Sequence, residues 1–233
     1  MKILWWNVGH AFFEKPSNFI KLYKGETMDC FYDPLHGPAL SAWIAQENYD
    51  VVCLTEITSA KDLESFNLPE YKYKDWIPSA SHAHGRAVLS KIPFIKTTKQ
   101  YGNYNVAAYD IGDAVIIPVH FHWADTKIRM DEVISAIQCI NEQVKPVLLV
   151  GDFNMWSFMS TRQVWKGDRK TFRMLNRELF ELTQHITTTE MIPGMKLDYV
   201  FTQSDNVEMF TVERAKNYPK LGMDHKPLTI EII

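Results

Sequence analysis

Short apolar runs alternate along the chain with longer stretches of helical period, the pattern of an α/β protein. Ile3 to Asn7 predicts a first strand, and Val51 to Leu54 predicts a buried strand that stops at Thr55-Glu56. Between them, residues 11–37 show no period and carry Phe12, Phe13, Phe19, Tyr23, Phe31, Tyr32 and His36 among Pro and Gly. An ordered, aromatic-rich excursion is expected there, because long featureless loops are uncommon inside compact domains. Leu40, Trp43 and Ile44 mark the inner face of a helix. Strand-like runs at 71–77, 86–90, 94–100, 105–110 and 114–122 follow without helical spacing, as in an antiparallel meander. Met130, Val133, Ile134, Ile137 and Ile140 recur at helical spacing. Pro146 to Val150 is a continuous apolar run, expected of a strand buried on both faces. Phe172, Leu175, Leu179 and Leu182 predict another helix, and strands near 196–202, 207–214 and 226–232 close the chain.

A chain of 233 residues can bury a sizeable core without covalent staples. The formal net charge of −3 removes one class of function: a protein that clings to nucleic acid by overall charge would be strongly basic. A local basic patch or a bound cation can still handle phosphate. The three cysteines, Cys30, Cys53 and Cys139, match no zinc spacing. They are expected to be free thiols packed as small hydrophobes, which favours a reducing, cytoplasmic setting. The N-terminus reaches Asn7 too soon for a signal peptide, and no apolar run approaches the length of a spanning helix. His82 and His84, before Gly85-Arg86, read as a surface loop.

The polar residues that carry chemistry sit where strands end, the place where open α/β sheets bind ligands. They are Asn7, Glu56, the run Gly151-Asp152-Phe153-Asn154, and Asp224-His225. Asp152 and Asn154 are two residues apart, so an extended backbone points them the same way. A carboxylate and an amide side by side can hold a water and a phosphoryl oxygen; the same residues also make a polar turn. Glu56 and Asn7 each follow apolar strands and serve either as metal ligands or as solvated strand ends. Asp198 lies within the apolar run Leu197 to Phe201, where a charge is costly unless paired. A histidine is its natural partner, because a carboxylate can fix an imidazole tautomer.

The ordered blocks "WWNVG", "DVVCLTEI", "GRAVLSKIP", "VIIPVHFH", "VLLVGDFN", "KLDYVF" and "GMDHKPL" resemble the endonuclease/exonuclease/phosphatase superfamily, from Asn7 to Pro227. The resemblance implies a single domain with a deoxyribonuclease I-like fold: a four-layer α/β sandwich in which helices flank two packed mixed sheets. It implies Mg²⁺ or Mn²⁺ as cofactor, with Glu56 as principal ligand, Asn7 beside it and Asp224 near metal and water. It implies that Asp152 and Asn154 orient water and phosphate, that His225 is catalytic, and that Asp198 orients His225. His120 resembles a phosphate-donating histidine of the family; His122, two residues on, is the alternative. Two positions depart from the family pattern. Met223 stands where a serine is usual, and Thr55 precedes Glu56 where glutamine is usual.

Substrate class is less legible. Abasic-site enzymes of this fold carry an Asn-rich strand where His120 stands, and a Trp at the place of Met195; neither is present. Arg162, Lys166, Arg169, Lys170, Arg173 and Arg177 follow the "GDFN" block against Asp168 alone. Such a stretch can grip flanking phosphates or form the solvated face of a helix. Trp123, Trp156 and Trp165 flank the same region and can stack on bases or pack at the rim. The leading expectation is a nuclease acting on DNA or RNA. The alternatives are a phosphatase or phosphodiesterase on a small or lipid phosphoester, such as an inositol phosphate or sphingomyelin, and a non-catalytic binding protein on the same fold.

Overall fold

A computed structural model describes residues 1–9, 36–57, 63–64, 66–78, 85–158, 163–189, 194–219 and 225–233. Residues 11–35 of the aromatic-rich segment with Cys30, the His82–His84 loop, Arg162, Met223 and Asp224 lie outside the described residues, whereas His36 and Gly37 open a helix.

The described strands form two sheets. In the first, β1 (Lys2–Asn7) runs parallel to β2 (Val51–Ile57), and β3 (Tyr73–Ile77) and β4 (Gly85–Ser90) extend it on one side. The second holds β5 (Ile95–Tyr101), β6 (Tyr104–Asp110), β7 (Val115–His120), β8 (Val147–Phe158), β9 (Gln163–Val164), β10 (Phe180–Glu181) and β11 (Met195–Thr202). Here β7 and β8 are the parallel pair. The chain returns to the first sheet through β12 (Phe210–Arg214) and β13 (Leu228–Ile232), the latter pairing antiparallel with β1. Each parallel pair is joined through a helix, α1 (His36–Glu47) and α2 (Thr126–Asn141) respectively, as parallel strands require. A third helix, α3 (Arg169–Glu178), packs near α2.

The period of two sorts the side chains into layers. Ile3, Trp5, Val51 and Cys53 of the first sheet meet Ile116, Leu148, Val150 and Val200 of the second in one central core. The alternate residues Leu4, Trp6, Val52 and Leu54 pack outward with Leu40, Trp43 and Ile44 of α1. Ile117, Leu149, Tyr199 and Phe201 pack outward with Val133, Ala136 and Ile140 of α2 and Leu175 of α3. The result is the four-layer sandwich that the family resemblance implies.

Local departures have identifiable causes. The run around 149–154 is not a strand end: β8 continues to Phe158, with Asn154 in the left-handed region at φ 50°. The strand before His122 stops at His120. The helix expected to reach Leu182 ends at Glu178, where Leu179 turns extended and the short β10 takes over. On α2 the buried face is Arg129, Val133, Ala136, Ile137 and Ile140, whereas Ile134 is exposed. The stripe is shifted because Arg129 faces inward to a buried carboxylate. The segment 207–214 opens as a 3₁₀ turn (Ser204–Met209) before β12. Cys53 and Cys139 are free and buried, and no helix among the described residues is long and apolar enough to cross a membrane.

Candidate active site

The layer logic builds the site. Ile3 and Trp5 face the central core, so Asn7, two residues further on, faces the gap between the sheets at its end. Leu148 and Val150 carry Asp152 to the same face of β8, Ile116 carries His120 to that face of β7, and Val200 carries Asp198 to that face of β11. Both parallel pairs end at this edge, so Asn7, His120 and Asp152 converge without any loop to place them. Glu56 has the opposite phase, shared with the outward-facing Leu54. A register shift between Thr55 and Ile57, with Glu56 at φ 62°, turns its carboxylate into the gap. Gly9 lies against it: a Cβ there would fall 1.7 Å from Glu56 Oε2. Gly151 likewise lets β8 approach β7, since a Cβ would meet the Val119 carbonyl oxygen at 2.2 Å.

Asn7 is the hub. Its Nδ2 donates to Glu56 Oε1 at 2.9 Å and to Asp152 Oδ2 at 3.0 Å. Its Oδ1 accepts from the Gly9 N–H at 3.1 Å. A half-turn about χ2 would exchange the two ends and offer the oxygen to a cation between the same carboxylates. His120 Nε2 lies 3.7 Å from Glu56 Oε1 and 3.8 Å from Asp152 Oδ2. The His122 ring instead accepts from the Ala124 and Asp125 N–H groups at 3.2 and 2.9 Å, organising the turn before α2.

A second group adjoins the first. His225 Nδ1 and Asp198 Oδ2 are 2.7 Å apart, and His225 Nε2 lies 3.7 Å from Asp152 Oδ2. Both Asp198 and His225 are buried. Asp198 Oδ1 accepts from Trp5 Nε1 at 3.1 Å, and Thr188 Oγ1 accepts from the Leu197 and Asp198 N–H groups at 3.0 Å each. The His225 carbonyl accepts from Trp6 Nε1 at 3.0 Å. Asp152 Oδ1 accepts from the Asn154 N–H at 2.8 Å, while Asn154 Nδ2 donates to the Phe121 carbonyl at 2.9 Å. With φ positive at Asn154, the pair is joined through the backbone rather than by simple alternation.

Burial pushes the Asp152 carboxyl up to about 7; the charges of Asp198 and Glu56 add to this, against His225 and the Asn154 N–H. Carboxylates concentrated in so little solvent are what a divalent cation relieves. Ligand atoms of Glu56, His120 and Asp152 all lie within 4.8 Å of one another, and a set rich in carboxylate oxygen suits hard cations. The residues present therefore fit a divalent metal.

A model of the endonuclease/exonuclease/phosphatase family matches residues 4–216. The chain belongs to this family. Its members generally hydrolyse phosphoesters and typically use divalent metals, and the two mixed sheets with flanking helices are its deoxyribonuclease I-like fold. The chain is also 25% identical over 150 residues to a UPF0294 protein of Vibrio campbellii (strain ATCC BAA-1116), an alignment covering 62% of this chain and 48% of that one. The chain thus spans about half the length of that curated relative.

Of the residues singled out in the sequence, the structure brings together Asn7, Glu56, His120, Asp152, Asn154, Asp198 and His225. Sequence reasoning missed Trp5, Gly9 and Thr188, which hold the site from behind. The phase of β1 carried the signal for Trp5, since it shares a face with Asn7. Nothing local to Thr188 announced its part.

Proposed function

We propose that this chain is a divalent-metal-dependent phosphodiesterase acting on nucleic acid. One observation carries the reading: Asp152 lies at once beside Glu56, in a cluster compact enough to hold a cation, and beside His225, which is paired with Asp198 as a base would be. Phosphodiester hydrolysis needs both, side by side. Glu56 and Asp152 would hold the metal, with Asn7 turned to offer its oxygen and Asp224 as a further ligand. A bound divalent ion neutralises the phosphate and the leaving oxygen.

The chain's own residues supply the rest. Asp198 keeps the proton of His225 on Nδ1, so Nε2 presents its lone pair toward Asp152. Asp152 and His225 then take the proton of the attacking water between them. His120 and the second N–H of Asn154 donate to the non-bridging oxygens as charge builds there. Nucleic acid is favoured by charge. Lys166, Arg169, Lys170, Arg173 and Arg177 are all exposed, while Asp168, the one acid among them, is buried against Arg129.

A substrate panel tests this: plasmid, single-stranded DNA, RNA, inositol phosphates and sphingomyelin, each with Mg²⁺, Mn²⁺ or EDTA. Metal-dependent cleavage of a nucleic acid is expected. Asp152→Asn and His225→Ala should each lower turnover by roughly 10²-fold or more. Turnover of sphingomyelin or an inositol phosphate with none on nucleic acid refutes the nuclease reading; undiminished turnover in EDTA refutes the metal.

A further inference from the structure

Three tryptophans are exposed beside this site: Trp123 (58%), Trp156 (42%) and Trp165 (65%). Tryptophan is ordinarily well buried, so three such residues on adjoining segments form a feature to be explained. They are held together by the backbone. Trp156 lies two residues beyond Asn154 on β8, and its carbonyl accepts from the Trp165 N–H at 2.8 Å, continuing the β8–β9 ladder. They are therefore cross-strand neighbours, whose side chains share a face.

A buried ion pair fixes the third. Arg129 Nε and Nη2 donate to Asp168 Oδ1 at 2.9 and 2.7 Å. The same guanidinium donates from Nη1 to the carbonyls of His122 and Trp123, the latter at 3.2 Å. The Asp168 N–H donates to the Trp165 carbonyl at 2.9 Å. One buried arginine–aspartate pair thus staples the Trp123 turn to the Trp165 turn. The adjacent Phe121 carbonyl is held by Asn154. The tryptophans are anchored to the site by rigid backbone, and the exposed cations of α3 begin at once after them.

We infer that Trp123, Trp156 and Trp165, with Lys166, Lys170 and Arg173, form a binding platform for an unpaired nucleic-acid strand leading into the site. This assignment rests on the nucleic-acid reading of that site and adds strandedness to it. An indole face stacks on any base but can do so only where the base face is open, which a duplex denies along its length. The row of lysine and arginine supplies the phosphate contacts that a stacking surface lacks. Charge decides between occupants: a purely apolar protein partner would leave these cations unmatched, whereas a polyanion matches them.

Binding is measured in EDTA, where cleavage cannot intervene, by fluorescence anisotropy of a labelled oligothymidylate about 15 nucleotides long and of a duplex of equal length. The single strand should bind at least about tenfold more tightly, and each Trp→Ala change should weaken it roughly 5- to 150-fold. Lys166→Ala/Lys170→Ala/Arg173→Ala should flatten the dependence of log K on log salt by about 0.7 for each phosphate that is no longer neutralised. Ile95→Ala, an exposed change on β5, should leave affinity as it was. Equal affinity for duplex, or Trp→Ala variants that bind like wild type, overturns the platform. So does loss of binding to phosphatidylglycerol vesicles in those variants with oligonucleotide binding intact. Trp-dependent strand binding without metal-dependent cleavage would instead leave the platform standing and refute the nuclease; cleavage untouched by the Trp changes would do the reverse.

Discussion

Asp198→Asn is the most informative single substitution, because the geometry dictates its consequence. Both oxygens of Asp198 accept from buried donors, Trp5 Nε1 at 3.1 Å and His225 Nδ1 at 2.7 Å. Asparagine keeps one acceptor and presents an NH₂ at the other position. If the oxygen stays with His225, the NH₂ opposes the indole N–H, and a buried donor loses its partner. If the oxygen stays with Trp5, the NH₂ faces Nδ1, which must become the acceptor, and the ring proton moves to Nε2, the nitrogen directed at Asp152. Either arrangement costs about 1–3 kcal/mol of stability for the unsatisfied group or the rearranged ring. In both, the charge-assisted bond to His225, worth about 1.5–3 kcal/mol, is lost from the transition state, so turnover should fall roughly 10- to 150-fold. The tautomer is read without substrate, by long-range nitrogen–proton NMR of the histidine rings. Turnover is read on the substrate found in the panel, and stability by urea unfolding. A folded Asp198→Asn protein with the Nδ1–H tautomer of wild type and turnover within about threefold of it would refute the reasoning, since that change is far below the range for a charge-assisted bond.

Two further outcomes follow from buried charge. Burial pushes the Glu132 carboxyl from the ordinary 4.5 up to about 7, against the His122 N–H, Arg86 and Arg129, which favour the ionised form. The folded state therefore holds a proton that the unfolded state has released. Stability from this group is fully present below pH 4.5 and is lost as the pH rises through about 7, a fall of about 3 kcal/mol. Glu132→Gln should abolish that slope in urea unfolding followed across this pH range; an unchanged slope would assign it elsewhere. Arg129→Met should destabilise the fold by about 3–5 kcal/mol by stranding Asp168, and adding Asp168→Leu should recover much of the loss. A single-variant cost below about 1 kcal/mol, by the same unfolding assay, would show that the staple is not held by this pair.

The hydrophobic pattern determined most of the architecture. Short apolar runs gave the strands, α-periodic runs gave α1 and α2, and the continuous run Pro146–Val150 correctly announced a strand covered on both faces. The phase of those runs also determined much of the site, because Asn7, His120, Asp152 and Asp198 each continue the inner face of their own strand. What the pattern could not give was anything depending on another segment's position. Glu56 has the wrong phase and enters the gap only through a register shift against β4. Arg129 counts as polar, yet it forms part of the buried face of α2, because Asp168, thirty-nine residues away, waits there. Lys196 lies buried against Glu181 and the Tyr199 ring, a placement that no local rule predicts. Local sequence sets which way a side chain points; whether a buried charge is tolerable depends on a partner that only the folded chain supplies.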